Sequence, residues 1–362
     1  MNACFVCETP FNIFNCLNFV LSQTDFAFDT VDLFIGEKFP KVDSIIQVLT
    51  SKGIFSSIYK YSYAIENART SVKVKRLIMP GRYISDLLGS RDSVSKKQYD
   101  AIFFASLTRF VRAFIISHPD ITPYLYEDGA GTYYGRSGLS FVSTKERIAY
   151  KLIGSDFRKL FPRRVYVNNP GLCESQWTDD IRELHKSSEN DINTRALFEE
   201  LFGEVPKIYS QKRIVYLSQP FDQYDEANSP FAEKLRHIFQ DKEIVYRPHP
   251  REKDYLFKDS RLENSGILWE VVCNNCITDQ HILIGRCSSA QINPKWIFDK
   301  EPFLIFTFPF TLQKDSFIYD TYEKIYLKTK SIYRNKGKVQ AVESIDELND
   351  LVLQFSQGQI QE

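Results

Sequence analysis

Short apolar runs alternate with longer amphipathic segments along the chain, and this alternation predicts its elements. Residues 3–6, 31–35 and 101–105 are almost continuously apolar, which is typical of strands in a parallel sheet that is covered on both faces. Residues 11–21 and 41–53 predict helices, the second of them with a single apolar stripe. Strand–helix alternation of this kind predicts an α/β fold with a parallel sheet.

A second series of the same kind occupies the later half of the chain. Strands are predicted there at residues 213–217, 243–246, 281–284 and 302–306. The predicted domains are therefore residues 1–165 and 211–340, each Rossmann-like. The more polar residues 166–210 are predicted to contain the interdomain connection, and residues 341–362 a C-terminal helix. Ligands of open parallel sheets bind at the carboxyl ends of the strands.

The composition argues against some functional classes. The 362 residues include 46 basic and 46 acidic side chains, and zero net charge argues against a dedicated nucleic-acid binder. The first residues lack the basic start of a signal peptide. No stretch approaches the roughly 20 apolar residues that a membrane-spanning helix needs. We therefore expect a soluble, cytoplasmic protein.

The seven cysteines, an odd number, fit a reducing compartment better than a disulfide framework. Two pairs have a spacing that is also found in zinc sites, Cys4 with Cys7 and Cys273 with Cys276. Cys4 and Cys7 fall in a predicted strand, where residues three apart point to opposite faces. We therefore expect buried free cysteines and no zinc.

Two hydroxyl side chains, Ser288 and Ser289, follow a strand and a turn at the start of a predicted helix. The N–H groups of a helix N-terminus attract anions, and a serine adds an O–H donor, so a phosphate would be well held here. The alternative is that Ser288 simply caps the helix.

An imidazole stands at the end of another strand of the second half. His249 lies between Pro248 and Pro250, which stiffen the loop. A histidine placed in this way can donate a hydrogen bond or a proton to a phosphate, and Arg247 and Arg251 are expected to raise the positive potential around it. The alternative is a structural turn histidine.

Two adjacent carboxylates, Glu127 and Asp128, follow a strand of the first half and precede Gly129. One of them is a candidate general base, with its pKa raised by the other charge and by partial burial. The alternative is an Asp-Gly turn that ends the strand. Asn12, at the tip of the first strand, is a candidate for contact with a sugar or an acceptor, or is a polar residue of the following helix. Together, base, imidazole and phosphate cradle fit group transfer from a nucleotide-activated donor.

At these three motifs the chain resembles the bacterial sialyltransferases, which share a D/E-D/E-G motif, an HP motif and an S or SS motif in that order. It looks most like glycosyltransferase family 52, the lipooligosaccharide and capsule sialyltransferases, in which an aromatic residue likewise follows Thr-Pro after the first strand, here Thr9, Pro10 and Phe11. The polysialyltransferases share the same motifs and are near relatives. The resemblance implies a GT-B fold, with two Rossmann-like domains facing a cleft. It also implies inverting transfer of sialic acid from CMP-sialic acid without a metal.

The resemblance also implies roles for single residues. His249, with Pro250, would act on the CMP phosphate, which Ser288 and Ser289 would also bind. Glu127 or Asp128 would be the base. Family 52 members carry a further Asp after the first strand of the second domain, and Asp222 competes for the same role, although one extra residue separates it from Pro220.

Three further residues are candidates for the donor site. Ser218 and Gln219 end the first strand of the second domain, and Glu270 is a candidate for binding the ribose hydroxyls or, alternatively, a helix-start glutamate. Basic clusters at residues 73–76 and 158–164 would suit an anionic inner membrane surface or form ordinary solvated faces.

The expected partners are a nucleotide-sugar donor and a glycan acceptor, a galactoside of lipooligosaccharide or capsule. Contact with the inner face of the membrane and a homodimer are further expectations, and no nucleic acid is expected. Three alternatives stay open: a polysialyltransferase, a transferase that uses another donor such as UDP-glucose, and a non-catalytic protein that binds sugar nucleotides.

Overall fold

The computed structural model describes most of the chain, with the elements named below. The described residues are 1–22, 25–62, 79–89, 97–133, 144–152, 154, 156–174, 178–185, 191–220 and 225–356. The chain divides into two compact units, Met1–Ser187 and Ser188–Glu362. Residues 166–210, predicted as the connection, contribute to the sheet of the first unit and to helices of the second.

The described part of the first unit is built on a seven-stranded parallel sheet with the order β3-β2-β1-β4-β5-β6-β7. Its strands are β1 (Asn2–Cys7), β2 (Thr30–Gly36), β3 (Ser57–Tyr61), β4 (Ala101–Phe104), β5 (Thr122–Tyr126), β6 (Arg164–Val167) and β7 (Ile181–Glu183). Its helices are α1 (Pro10–Ser22), α2 (Val42–Lys52), α3 (Pro80–Leu87), α4 (Arg109–Ser117), α5 (Ala130–Tyr133) and α6 (Thr144–Leu152), with 3₁₀ turns at Phe157–Leu160 and Pro170–Leu172.

Aromatic side chains fill the core of the first unit. The rings of Phe5 on β1 and Phe103 on β4 stack with their centroids 4.5 Å apart, and Phe19 of α1 packs against Phe103 at 5.0 Å. Continuously apolar strands therefore lie where both faces of the sheet are covered, as the sequence predicts. Thr9 caps α1 by accepting a hydrogen bond from the Asn12 N–H at 3.1 Å.

The described part of the second unit is built on a five-stranded parallel sheet with the order β12-β11-β10-β8-β9. Its strands are β8 (Ile214–Leu217), β9 (Ile244–Arg247), β10 (Ile282–Gly285), β11 (Phe303–Phe306) and β12 (Val339–Ala341). Its helices are α7 (Ile192–Phe202), α8 (Ile208–Gln211), α9 (Ala232–Ile238), α10 (Trp269–Asn275), α11 (Ser289–Phe298), α12 (Phe308–Thr311), α13 (Phe317–Ile332) and α14 (Ile345–Ser356), with 3₁₀ turns at Glu226–Asn228 and Lys336–Lys338.

The order of the second sheet reverses at β8, which lies between β9 on one side and β10 on the other. Chain connections leave such a point in opposite directions, which opens a crevice beyond the carboxyl ends of the strands. The residues that directly follow β8, β9 and β10 therefore lie where the fold itself favours ligand binding. The C-terminal helix α14 packs on this unit through Ile345, Leu348 and Val352.

The four cysteines of the two spaced pairs lie on or beside regular elements. Cys4 and Cys7 are buried on β1, Cys273 is buried on α10, and Cys276 follows that helix. Within the described ranges, no group of three or more His, Cys, Asp or Glu residues has a geometry that would hold a metal ion.

Candidate functional site

The two motifs of the second unit lie on either side of β8 at the carboxyl edge of its sheet. His249 follows β9, and Ser288 follows β10, while Ser218 directly follows β8 between them. Gly285 at the end of β10 allows this crowding, because a Cβ there would lie 3.1 Å from the Leu217 carbonyl oxygen of β8. The sheet thus brings together motifs that are far apart in the sequence.

The imidazole of His249 is half-buried, and one of its nitrogens is already occupied. Nδ1 accepts a hydrogen bond of 3.2 Å from the backbone N–H of Arg251, which assigns the proton of the neutral ring to Nε2. Burial, followed by the nearby charge of Arg251, lowers the pKa of His249. At neutral pH the side chain is therefore uncharged and has an N–H donor at Nε2.

The backbone of His249 is held by a buried carboxylate. Its N–H donates to Oε2 of Glu252 at 2.8 Å, and the other oxygen, Oε1, lies 2.8 Å from the Ser218 hydroxyl. Ser218 is itself buried and also contacts Oε2 of Glu226 at 2.6 Å. Ser218 therefore lies in a network beneath the loop. The sequence alone did not indicate Glu226 or Glu252.

Ser288 occupies the N-cap of α11 and accepts a hydrogen bond of 3.3 Å from the N–H of Gln291. The capping role expected as one alternative is therefore present. Ser289 is the first residue of the helix and is exposed. Its hydroxyl stands at the positive end of the helix dipole, where an anion is stabilised.

Gln219 joins the end of β8 to the loop after β10. Its carbonyl accepts a hydrogen bond of 3.3 Å from Nη2 of Arg286, and its side-chain oxygen accepts one of 3.4 Å from the Cys287 N–H. Gln219 thereby fixes the loop that leads into Ser288.

Arg247 is paired inside the protein and does not add positive potential to the site, contrary to the sequence-based expectation. Its guanidinium forms a largely buried ion pair with Glu263 at 2.6 Å and lies 5.3 Å from the centroid of the Trp269 ring. Its charge is therefore compensated inside the protein, because a buried cation needs a partner. Arg251, by contrast, is exposed, as is Pro250.

Glu270, the candidate for ribose binding, is buried at the start of α10. Its Oε1 accepts a hydrogen bond of 2.6 Å from Nδ2 of Asn293 on α11. The bond orients the carboxylate and links the two helices beside the sheet.

The two adjacent carboxylates of the first unit have opposite environments. Glu127 is buried, and its Oε2 accepts from the Tyr133 hydroxyl at 2.6 Å and from the backbone and side-chain N–H groups of Asn168 at 2.7 and 2.9 Å. Burial raises the pKa of Glu127 and outweighs these three hydrogen bonds, which lower it. A carboxylate so enclosed supports the local structure.

Asp128 is exposed, and among the described residues one of its oxygens has a side-chain hydrogen-bond partner. Its Oδ1 accepts a hydrogen bond of 2.7 Å from Nδ2 of Asn12, and Oδ1 of Asn12 accepts from the Glu8 N–H at 3.1 Å. The pKa of Asp128 is raised, first by partial loss of solvent among the strand ends and also by the charge of Glu8, whereas Asn12 lowers it. Asp128 thus has the access and the raised pKa of a general base.

Two predicted features cannot be placed in the structure, and one cavity lies away from the motifs. Asp222 and the basic cluster at residues 73–76 lie outside the described residues. A cavity of about 760 Å³ lies at the amino edge of the second sheet, where Arg213, Glu243, His281 and Phe303 line it. The motif residues do not line this cavity, because they lie at the opposite edge.

The fold is of the GT-B type. It is similar to the glycosyltransferase of kitacinnamycin, with a TM-score of 0.52 and 10% identity over 98% of this chain and 90% of that one. It is also similar to a putative UDP-N-acetylglucosamine 2-epimerase from Listeria monocytogenes, with a TM-score of 0.52 and 10% identity over 98% and 87% of the two chains. At this identity the likeness shows the fold alone.

The family follows from the sequence. The profile of the alpha-2,8-polysialyltransferase family matches residues 31–306, and the chain belongs to this family. The match spans the carboxylate, HP and serine motifs. No curated protein matches the chain. The expected resemblance to sialyltransferases is therefore confirmed at the level of a sialyltransferase family, and the protein is a glycosyltransferase.

Proposed function

We propose that the protein transfers sialic acid from CMP-sialic acid to a hydroxyl of a glycan acceptor, with inversion at the anomeric carbon. The observation that supports this most strongly is the neutral imidazole of His249, whose Nδ1 is occupied by Arg251 and whose Nε2 keeps its proton. His249 and the N-terminus of α11 lie at the same carboxyl edge of the second sheet, on either side of β8, where the strand order reverses. This combination suits a phosphate.

The donor side of the proposed reaction uses the second unit. The bond between the anomeric carbon and the phosphate oxygen breaks, and CMP leaves with the electron pair. The Nε2–H group of His249 donates a hydrogen bond to the departing phosphate, and Ser289 with the N-terminus of α11 stabilises its growing charge. Ser288 holds that helix end in place, and Glu270 is assigned to the ribose.

The acceptor side uses Asp128. The acceptor oxygen forms the new bond to the anomeric carbon, and its proton passes to the Asp128 carboxylate. Single displacement requires the base and the leaving group on opposite faces of the sugar. We assign the base to Asp128 because Glu127 is buried among three donors, and the proposal includes no metal in the reaction.

Two classes of glycan acceptor are compatible with the proposed reaction. A terminal galactoside of lipooligosaccharide or capsule, as in glycosyltransferase family 52, is one class. The match to the alpha-2,8-polysialyltransferase family favours a second class, in which the acceptor itself ends in sialic acid and the product grows into a polymer. Both use the same donor and the same base.

We further propose that the first unit rests on an anionic membrane surface from the cytoplasmic side. Ile148 and Leu152 lie one turn apart on α6 and are 56% and 82% exposed. Exposed basic side chains accompany them at Lys151, Arg158 and Lys159. Apolar residues flanked by cations match an anionic lipid surface. None of the described helices has the length and apolar character needed to cross a bilayer.

The donor is tested by thermal shift with CMP, UDP and GDP, followed by product analysis with CMP-sialic acid and two acceptors, one ending in galactose and one in sialic acid. Stabilisation by CMP alone and turnover that His249→Ala lowers about 10²–10³-fold support the proposal. Preference for UDP would point to another donor such as UDP-glucose. CMP binding without turnover on any acceptor would indicate a non-catalytic binding protein.

The membrane proposal is tested by sedimentation with vesicles of phosphatidylcholine alone or with phosphatidylserine. Binding that requires the anionic lipid, weakens with salt and falls in Leu152→Ser supports it. The matched control is Leu327→Ser, because Leu327 is also exposed, at 54%, but lies on α13 of the second unit. Equal loss in both variants, or binding without the anionic lipid, contradicts the proposed surface.

A further inference from the structure

A group of buried polar side chains lies directly beneath the loop that carries His249, and the proposed reaction does not use it. Glu226 and Glu252 approach the same hydroxyl, that of Ser218, with Oε2 of Glu226 at 2.6 Å and Oε1 of Glu252 at 2.8 Å. Both glutamates are buried, with exposed fractions of 6% each, and Ser218 is 4% exposed. Two carboxyl groups thus share one hydroxyl away from water.

The number of available protons decides how this group is connected. Ser218 has a single hydroxyl proton, which can be donated to only one of the two carboxyl groups. If Ser218 donates to Glu252, the contact of 2.6 Å with Glu226 requires a proton on Glu226. Ser218 then accepts from Glu226 and from the Tyr246 hydroxyl at 3.3 Å, and donates once. This arrangement uses every capacity of the hydroxyl.

The opposite assignment would put the proton on Glu252 and the negative charge on Glu226, although Glu252 has more hydrogen-bond donors around it. Glu252 accepts the backbone N–H groups of His249 at 2.8 Å and of Glu226 at 3.1 Å. A carboxylate with two backbone donors and a hydroxyl donor is favoured in its ionised form. Among the described residues, Glu226 has one further hydrogen-bond donor, the Tyr216 hydroxyl, at 2.7 Å from Oε1. The proton therefore belongs on Glu226.

We propose that Glu226 is protonated in the active protein and that it positions His249 through Ser218 and Glu252. The chain of hydrogen bonds runs from the Glu226 carboxyl to Ser218, from Ser218 to Glu252, and the carboxylate of Glu252 fixes the His249 backbone. Glu226 and Glu252 are positioning residues, since neither is assigned a contact with the donor. The inference rests on the proposed role of His249.

The surroundings of Glu226 agree with this assignment. Burial raises the pKa of Glu226 to about 7, with the charge of Glu252 acting in the same direction and Ser218, Tyr216 and Arg286 acting against it. Burial also raises the pKa of Glu252, helped by the charge of Asp225 and opposed by its hydrogen bonds.

The pair is therefore sensitive to pH in one direction. As pH rises through the pKa of Glu226, the carboxyl loses its proton, and two negative charges flank one hydroxyl. The single proton of Ser218 can then be donated to only one of the two carboxylates. Repulsion between the Glu226 and Glu252 carboxylates weakens the hydrogen bond that holds the His249 backbone. The activity is expected to fall on the alkaline side, although His249 itself remains neutral.

The proton on Glu226 is tested by infrared spectroscopy, which does not depend on the donor or on turnover. At pH 6 the wild type should show a protonated carboxyl band that is absent from Glu226→Gln and disappears from the wild type at alkaline pH. If the spectrum of Glu226→Gln keeps every protonated carboxyl band of the wild type, the assignment is overturned. If the band behaves as expected and CMP-sialic acid is not a substrate, the protonation of Glu226 is supported and the proposed function is contradicted.

The positioning role is tested by the pH dependence of kcat/KM and by the NMR signal of the His249 amide. Glutamine retains an N–H donor for Ser218, so Glu226→Gln should lose the alkaline decline, whereas the wild type falls about tenfold from pH 7 to 8.5. Glu252→Gln leaves one oxygen for three donor groups and should lower kcat/KM about tenfold at every pH.

The His249 amide signal should shift with pH in the wild type and stay constant in Glu226→Gln, whether or not the protein turns over. The matched control is Glu233→Gln, whose side chain is 90% exposed and which should behave as the wild type in both measurements. An alkaline decline or an amide shift that persists unchanged in Glu226→Gln would overturn the positioning role.

Discussion

The side-chain amide of Asn12 donates a hydrogen bond of 2.7 Å to the carboxylate of Asp128, joining the start of α1 to the end of β5. The other end of the amide accepts from the Glu8 N–H, which fixes its orientation. Asn12 therefore holds one oxygen of Asp128, and the proposed mechanism assigns the acceptor hydroxyl to the other. The candidate base is placed by a residue 116 positions earlier in the sequence.

Replacing Asn12 by alanine is expected to move the acid limb of kcat/KM to higher pH. The Asn12 amide lowers the pKa of Asp128, and the base acts only when it is ionised, so losing the amide leaves less of the active form at low pH. We expect kcat/KM to fall further below the wild-type value at pH 6 than at pH 8. Asn228→Ala, at an exposed amide–carboxylate contact, is the control. An unchanged acid limb would contradict the link.

The two neighbouring carboxylates are expected to respond in opposite ways to substitution. Asp128→Asn should keep the melting temperature and lose about 10²–10⁴-fold in rate, because it removes the base and little packing. Glu127→Ala should lower the free energy of unfolding by about 2–3 kcal/mol, because it removes the carboxylate that accepts hydrogen bonds from the buried Tyr133 and Asn168 side chains. Chemical denaturation and initial rates separate the two effects. A normal rate in Asp128→Asn would return the role of base to Asp222.

The protonation of Glu226 predicts a specific dependence of stability on pH. Below about pH 4.5 the carboxyl is protonated in both the folded and the unfolded chain, and the folded state carries no penalty. Between that value and the folded pKa of about 7, the unfolded chain ionises first, so the free energy of unfolding falls as pH rises.

The measurement compares the wild type with Glu226→Gln, so that other titrating groups cancel. A shift of this size corresponds to a loss of up to about 3 kcal/mol for the wild type relative to the variant from pH 4.5 to 8. Urea unfolding at each pH gives the two curves. Parallel curves would show that Glu226 has an ordinary pKa in the folded state.

The close contact between β8 and β10 can be tested by substituting Gly285. A methyl group at this position would lie 3.1 Å from the Leu217 carbonyl oxygen and 3.3 Å from Oε1 of the buried Gln291. Gly285→Ala should therefore lower the free energy of unfolding by about 1–3 kcal/mol and weaken CMP binding, because the loop before Ser288 shifts. Gly81→Ala, on α3 with open space around the glycine, should raise stability by about 0.5–1 kcal/mol. Equal effects of the two variants would argue against the close approach.

The sequence predicted the long elements and the places where the motifs fall. The apolar runs at residues 3–6 and 101–105 correspond to β1 (Asn2–Cys7) and β4 (Ala101–Phe104), because an apolar run buries both faces of a parallel sheet. Helix α14 begins where Ser344 accepts the Glu347 N–H. Short strands such as β7 and β12, of three residues each, gave no comparable signal, because three residues carry too little periodicity.

The local pattern therefore determined where the strands, helices and motif-bearing loops occur, because burial of apolar side chains acts residue by residue. The tertiary structure decided which strands are neighbours, and so set His249 and Ser288 on either side of β8. It also buried Glu127 against Asn168 while leaving Asp128 exposed, and brought Glu226 and Glu252 to one hydroxyl. Burial and proton sharing depend on groups that meet only after folding, which is why the sequence left the choice of base open.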